Sequence, residues 1–146
     1  MIRNLDSIMQ QDKKFEEDFK NAKMVYLVTF DKNGDENTRP MTNYTENPYE
    51  NIWFPTEKDT QKIKDIKNNP KVKVLIPSRK KGFYHQITGE ADLEDEKVVE
   101  DKWEWWYLSW RPTQRKWFWF PPGLDEDKRA IINIKPEKRT LIERRE

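Results

Sequence analysis

A chain of 146 residues falls within the size of one domain, so a single core is expected across 1–146, with no room for a separate substrate domain. Its 28 Lys and Arg nearly balance 27 Asp and Glu, leaving no global field for a nucleic acid or an anionic membrane, and the lack of Cys excludes thiolate catalysis, iron–sulfur clusters, Cys-based zinc sites and disulfides. Charged residues at 38% and a mean hydropathy of −1.15 lean toward disorder, but 7 Trp, 7 Phe and 5 Tyr each bury enough apolar area to build a core.

From Asn4 to Asn21, Leu5, Ile8, Met9, Phe15 and Phe19 fall near one face at helical spacing, which predicts an amphipathic lid helix within 1–22. Met24 to Asp31 is rich in β-branched and aromatic residues and predicts a strand. Asn33-Gly34 then supplies a positive-φ pair for a tight hairpin into a second strand, Glu36 to Thr45. Asn51 to Pro55 predicts a short strand, and Ile63 and Ile66 share a helical face that Asp59 or Thr60 could cap. Asn69-Pro70 ends that helix, because the residue before Pro avoids the helical region. Lys71 to Ile76 alternates with period two, and so does Phe83 to Leu93, where Gly89 suggests a bulge or a close backbone approach.

Glu94 to Trp110 places Val99, Trp103, Trp106, Tyr107 and Trp110 on one face, predicting a helix over 94–110 with an aromatic stripe. Its bland explanation is packing on the barrel or at a dimer seam; the functional one is that Trp110, or Trp119 in the run Trp117 to Pro121, covers a ligand. Pro112, Pro121, Pro122 and Gly123 interrupt the chain before Arg129 to Ile134 and Arg139 to Ile142, a predicted final strand pair. Six or seven short strands with inserted helices predict a mainly β fold, a closed or nearly closed antiparallel barrel with peripheral helices.

No catalytic constellation is visible. The lone His85, with no Cys and no Gly-x-Ser-x-Gly elbow, offers no nucleophile–base pair, and the carboxylates read as solvated surface rather than metal ligands. His85 alternates with Tyr84 and is expected at the surface or the core rim. Four scattered Gly make no phosphate-cradling loop. Thr60 and Lys62 at a helix start suit a phosphate, since hydroxyl, ammonium and orphan N–H groups can converge on one anion, and Arg39 could add a planar fork. A capping Thr, a solvated Lys and an edge Arg explain the same residues without a ligand.

The order of Arg39-Pro40-Met41 after an Asn-Gly hairpin, Trp53-Phe54-Pro55-Thr56, Thr60-x-Lys62, Asn69-Pro70 before a Val-rich strand, and Tyr84 followed by Gly89-Glu90-Ala91 resembles the general stress protein 26 branch of the pyridoxamine 5′-phosphate oxidase-like family, from about Met24 to Glu143. The resemblance implies a six-stranded antiparallel split β-barrel of the FMN-binding type, a homodimer with FMN at the subunit interface, and flavin-dependent oxidoreduction of an unidentified small substrate. By it, Thr60 and Lys62 hold the FMN phosphate, with Gln61 where pyridoxamine oxidases often carry Arg. Arg39, Pro40, Met41 and Thr42 line the flavin ring, Pro55 and Thr56 lie at its side, and Tyr84 reaches it from the second subunit.

True pyridoxamine oxidases carry a C-terminal Arg-rich segment for the substrate phosphate, whereas this chain ends at Leu141 to Glu146, so pyridoxamine phosphate oxidation is not expected. The competing readings are a non-enzymatic nucleic-acid-binding barrel using Arg79-Lys80-Lys81 beside Phe83 and Tyr84, and the same fold holding a deazaflavin or haem. A charged inter-strand loop explains Arg79 to Lys81 equally simply. No apolar run reaches the ~20 residues that span a bilayer, and Met1 to Asp6 lack an apolar signal core, so a cytoplasmic protein without a membrane partner is expected.

Overall fold

The computed structural model describes residues 12–95, 97–101 and 129–144. The elements run α1 (Lys13–Asn21), β1 (Met24–Phe30), β2 (Glu36–Thr42), β3 (Ile52–Glu57), α2 (Gln61–Asn68), β4 (Lys71–Pro77), β5 (Phe83–Leu93) and β6 (Arg129–Glu143). Six strands form one antiparallel sheet in the order β2-β1-β4-β5-β6-β3. The sheet curls around its core, and β2 and β3 are its edges, so the barrel is split along the seam between them. Both edge strands carry a proline, Pro40 and Pro55, which an edge tolerates because a missing N–H there breaks no interior ladder.

Period-two alternation sorts the side chains. Val25 and Leu27 of β1, Val72, Val74 and Ile76 of β4, and Ile87 and Ala91 of β5 face one core with Ile52, Phe54, Ile132 and Ile134. Helices α1 and α2 close that core from opposite ends. Phe15 and Phe19 of α1 pack into it at the end marked by Asn43, whose Nδ2 donates to the carbonyls of Phe19 and Ala22 at 3.2 and 3.0 Å. Ile63 and Ile66 of α2 enter at the other end, where Asp65 meets Thr29 and Asn37.

Several expectations change. The N-terminal helix does not run unbroken from Asn4, because Asp12 is extended (φ −148°, ψ 117°) and caps α1, its Oδ1 accepting from Lys14 N at 2.9 Å and Phe15 N at 3.5 Å; residues 1–11 lie outside the described residues. The β1–β2 hairpin has no positive-φ pair. Gly34 alone is left-handed there (φ +84°), and Asp31 organises the loop, accepting from the backbone N–H of Asn33 and Asp35 at 2.8 and 3.0 Å. β2 ends at Thr42, because Asn43 turns away to bond α1.

The expected final strand pair is one 15-residue strand, β6. Pro136 does not break it, because it sits opposite Gly89 at a register shift of the β5–β6 ladder, where the ladder is already interrupted and a missing N–H donor is tolerated. Of the aromatic helix, residues 97–101 are helical and Val99 is buried; Trp103, Trp106, Tyr107, Trp110 and Trp119 lie outside the described residues. No helix among the described residues is long and apolar enough to cross a membrane.

Candidate functional site

At the α2 end of the barrel, strand β2 presents Arg39 on the core side, and the start of α2 presents Gln61 and Lys62. Arg39 is half-buried. Its Nη1 donates to Thr29 Oγ1 at 2.8 Å, and its Nη2 lies 3.8 Å from Asp65 Oδ2. Asp65 is fully buried and accepts from Thr29 Oγ1 (2.7 Å), Asn37 Nδ2 (2.9 Å) and Gln61 Nε2 (2.9 Å). Burial alone would push the Asp65 carboxyl up, but the bonds from Asn37, Gln61 and Thr29 and the charge of Arg39 hold it below its ordinary value.

Lys62 is half-buried next to the same frame. Its ammonium titrates below the usual lysine range because burial and then the nearby Arg39 disfavour its charge, with Glu57 acting in the opposite direction. Arg39 is likewise lowered, by burial, against the pull of Asp65. Two partly desolvated cations are therefore neighbours, and the buried carboxylate of Asp65, carried by α2 itself, faces Arg39.

Thr60 occupies the N-cap position of α2, yet its hydroxyl makes no cap. It donates back to the Glu57 carbonyl at 2.9 Å, so the expected capping role is not realised. The first-turn N–H groups of α2 are left without a side-chain acceptor, and no acidic residue stands in that turn.

The other proposed residues divide between the two sides of the sheet. Met41 packs on the core side with Arg39. Pro40 and Thr42 alternate to the opposite face and are exposed. On β3, Thr56 pairs with Ala130 and Pro55 with Ile131, so these two also face opposite ways. Tyr84 shares the outer face with Pro40 through Tyr26, whose ring it meets edge-on at 6.3 Å. One chain therefore gathers Arg39, Gln61 and Lys62 but sets Tyr84 on the far side of its sheet. Trp110 lies outside the described residues.

His85 does point away from Tyr84, but into the structure rather than to its surface. It is buried against Phe15, edge-on at 5.1 Å, and its Nε2 lies 2.7 Å from Asp18 Oδ2. Arg139 Nη1 approaches His85 Nδ1 at 3.2 Å. A guanidinium can only donate, so Nδ1 is the acceptor and the ring proton sits on Nε2, donated to Asp18. Arg139 also reaches Asp12 Oδ2 at 3.0 Å, and Arg79 pairs with Glu17 and, at 3.2 Å, with Asp18. Arg79 is thus committed to α1, and Lys80 lies over the Phe83 ring at 4.5 Å, an arrangement of the charged-loop kind.

Asp65, Thr29 and Asn37 carried no sequence signal, since a polar residue between Ile63 and Ile66 reads as solvated. Asp18 had one. It shares the helical face of Phe15 and Phe19, spaced by three and one.

The sequence signature described as "Pyridoxamine 5′-phosphate oxidase like" matches residues 10–141. The chain belongs to this family. It is 31% identical over 94 residues to General stress protein 26 of Bacillus subtilis (strain 168), a match that covers 62% of this chain and 61% of that relative's length. Among solved structures, a putative pyridoxamine 5′-phosphate oxidase from Listeria innocua superposes with a TM-score of 0.66 at 24% identity, covering 89% of this chain and 96% of the other. A pyridoxamine 5′-phosphate oxidase-related, FMN-binding protein from Nostoc punctiforme gives 0.65 at 14% identity, covering 90% and 80%. At such identities the structural matches establish the fold, the split barrel of the oxidase-like family.

Proposed function

We propose that this member of the oxidase-like family binds FMN through Thr60, Gln61 and Lys62 with Arg39, and serves as a flavin-dependent oxidoreductase for a small substrate. The carrying observation is the pair of half-buried cations, Arg39 and Lys62, beside an uncapped helix start. Such a place favours a phosphate, which would relieve the mutual repulsion of the cations and accept the orphan N–H groups. Membership of a generally flavin-binding family supports the same ligand. β2, an edge strand among the described residues, offers backbone donors beside Met41 for a planar ring, with Pro55 and Thr56 on the other edge strand. Bound FMN would supply the hydride and electron transfer, so the chain need contribute only position, electrostatics and exclusion of water.

FMN should bind more tightly than riboflavin in a fluorescence-quenching titration. Lys62→Ala should cost FMN about 1.5–3 kcal/mol, the worth of a charge-assisted bond, while leaving riboflavin unaffected. Equal affinities for the two flavins in the unmodified chain would reject the phosphate assignment.

The outward Tyr84 supports a site shared between two copies, because it stands on the face opposite Arg39 and can serve a flavin only in a second chain. Light scattering at micromolar concentration should report about twice the 17.9 kDa chain mass. A monomer that retains FMN would remove Tyr84 from the site.

A further inference from the structure

We infer that Asp65 is the positioning residue of this anion site, a buried carboxylate that fixes Arg39 and Gln61 beside Lys62 before any ligand arrives. The inference rests on the proposed phosphate role of Lys62 and Arg39. Its basis is geometric. The Asp65 side chain is 2% exposed, and a buried carboxylate is costly unless it is paired and fully bonded. The other buried residues of α2, Ile63 and Ile66, are apolar and enter the core. Asp65 instead directs its bonds to the neighbours of the cations. Oδ1 holds the Gln61 amide, and Oδ2 takes Asn37 and the Thr29 hydroxyl, which itself accepts from Arg39 Nη1.

The consequence is preorganisation. Thr29 and Asp65 hold Arg39 in one orientation, so its rotamer freedom is spent on folding and not on binding. Of the charges acting on the two cations, Asp65 offsets Arg39 and the exposed Glu57 acts on Lys62, while Glu36 at the same end of the barrel is paired with Lys73 and Arg144. Without Asp65 the guanidinium would face Lys62 uncompensated and would lose its anchor.

Asp65→Asn tests this by sign. A purely electrostatic view predicts tighter FMN binding, because a negative charge is removed near a phosphate. Positioning predicts the reverse: FMN weakened about tenfold with riboflavin changed by less than about twofold. Thr29→Val, which removes the hydroxyl bridge at nearly constant size and leaves the carboxylate, should weaken FMN about threefold and keeps the test open if Asp65→Asn folds poorly. A readout independent of flavin is the NMR titration of the Lys62 side chain in the unliganded protein, which should move down in Asp65→Asn as the Arg39 field, already one of the influences that lowers Lys62, goes unopposed. Tighter or unchanged FMN binding in both variants, or an unmoved Lys62 titration, overturns the inference. If the unmodified chain binds FMN no better than riboflavin, the phosphate reading fails, and the Lys62 titration alone then upholds or overturns the control of the cations by Asp65.

Discussion

Gly89→Val should lower the stability of the fold by about 3 kcal/mol, the upper range for forcing bulk into a packed interior. Gly89 sits where the β5–β6 register shifts, opposite Pro136. A Cβ there would overlap the Lys135 carbonyl oxygen and come within 3.1 Å of its carbon and 3.2 Å of Ile134 Cγ2. The obstacle is backbone, and it cannot retreat, because β6 is bound on its far side to β3 through the pair Ile52 and Ile134. Gly34→Ala is the contrasting case. Nothing lies within 4 Å of its Cβ position, but its φ is +84°, so only the left-handed backbone penalty of about 1 kcal/mol applies. Urea titrations followed by Trp fluorescence measure both; a Gly89→Val variant as stable as Gly34→Ala would refute the close-approach account.

Gly89 also shows how much of this fold was legible. A glycine inside a period-two strand signals a bulge from sequence alone, and the structure has one. β-branched and aromatic richness placed β1, and alternation placed β4 and β5, nearly to the residue, because each strand turns an apolar side to the core and hydrophobicity records it. The β1–β2 loop and β6 were harder for the same reason. Asp31 builds its turn through side-chain bonds, and Pro136 is permitted only by a partner strand 47 positions earlier, so neither fact resides in local pattern.

The site divides similarly. Arg39, Gln61 and Lys62 could be singled out because their residue types suit an anion and their order resembles a family. Asp65 could not, since its role comes from Thr29 and Asn37, 36 and 28 residues away in sequence. A charge becomes readable as structural only when the fold reveals what it touches.

Asp18→Ala should cost about 3 kcal/mol, because removing one member of a buried polar pair strands the other. The Asp18 side chain is 4% exposed and accepts from His85 Nε2 and Arg79 Nε. Its loss leaves the His85 N–H buried beside Phe15 without an acceptor and cuts the hydrogen bond that ties α1 to β5. The same carboxylate sets an acid dependence. Burial raises the Asp18 carboxyl, but the bonds from His85 and Arg79 outweigh it and hold the group below its ordinary value. Its contribution is therefore complete above the unfolded aspartate value of about 3.9 and is lost as pH falls through the lower folded value. The stability gap between the unmodified chain and Asp18→Ala should be widest near neutrality and narrow only below that point. Asp18→Asn, which keeps an acceptor of the same size, should fall between them. Urea titrations at a series of pH values test this directly: a gap that stays constant or widens on acidification would show that Asp18 does not hold α1 to the barrel as a bonded carboxylate.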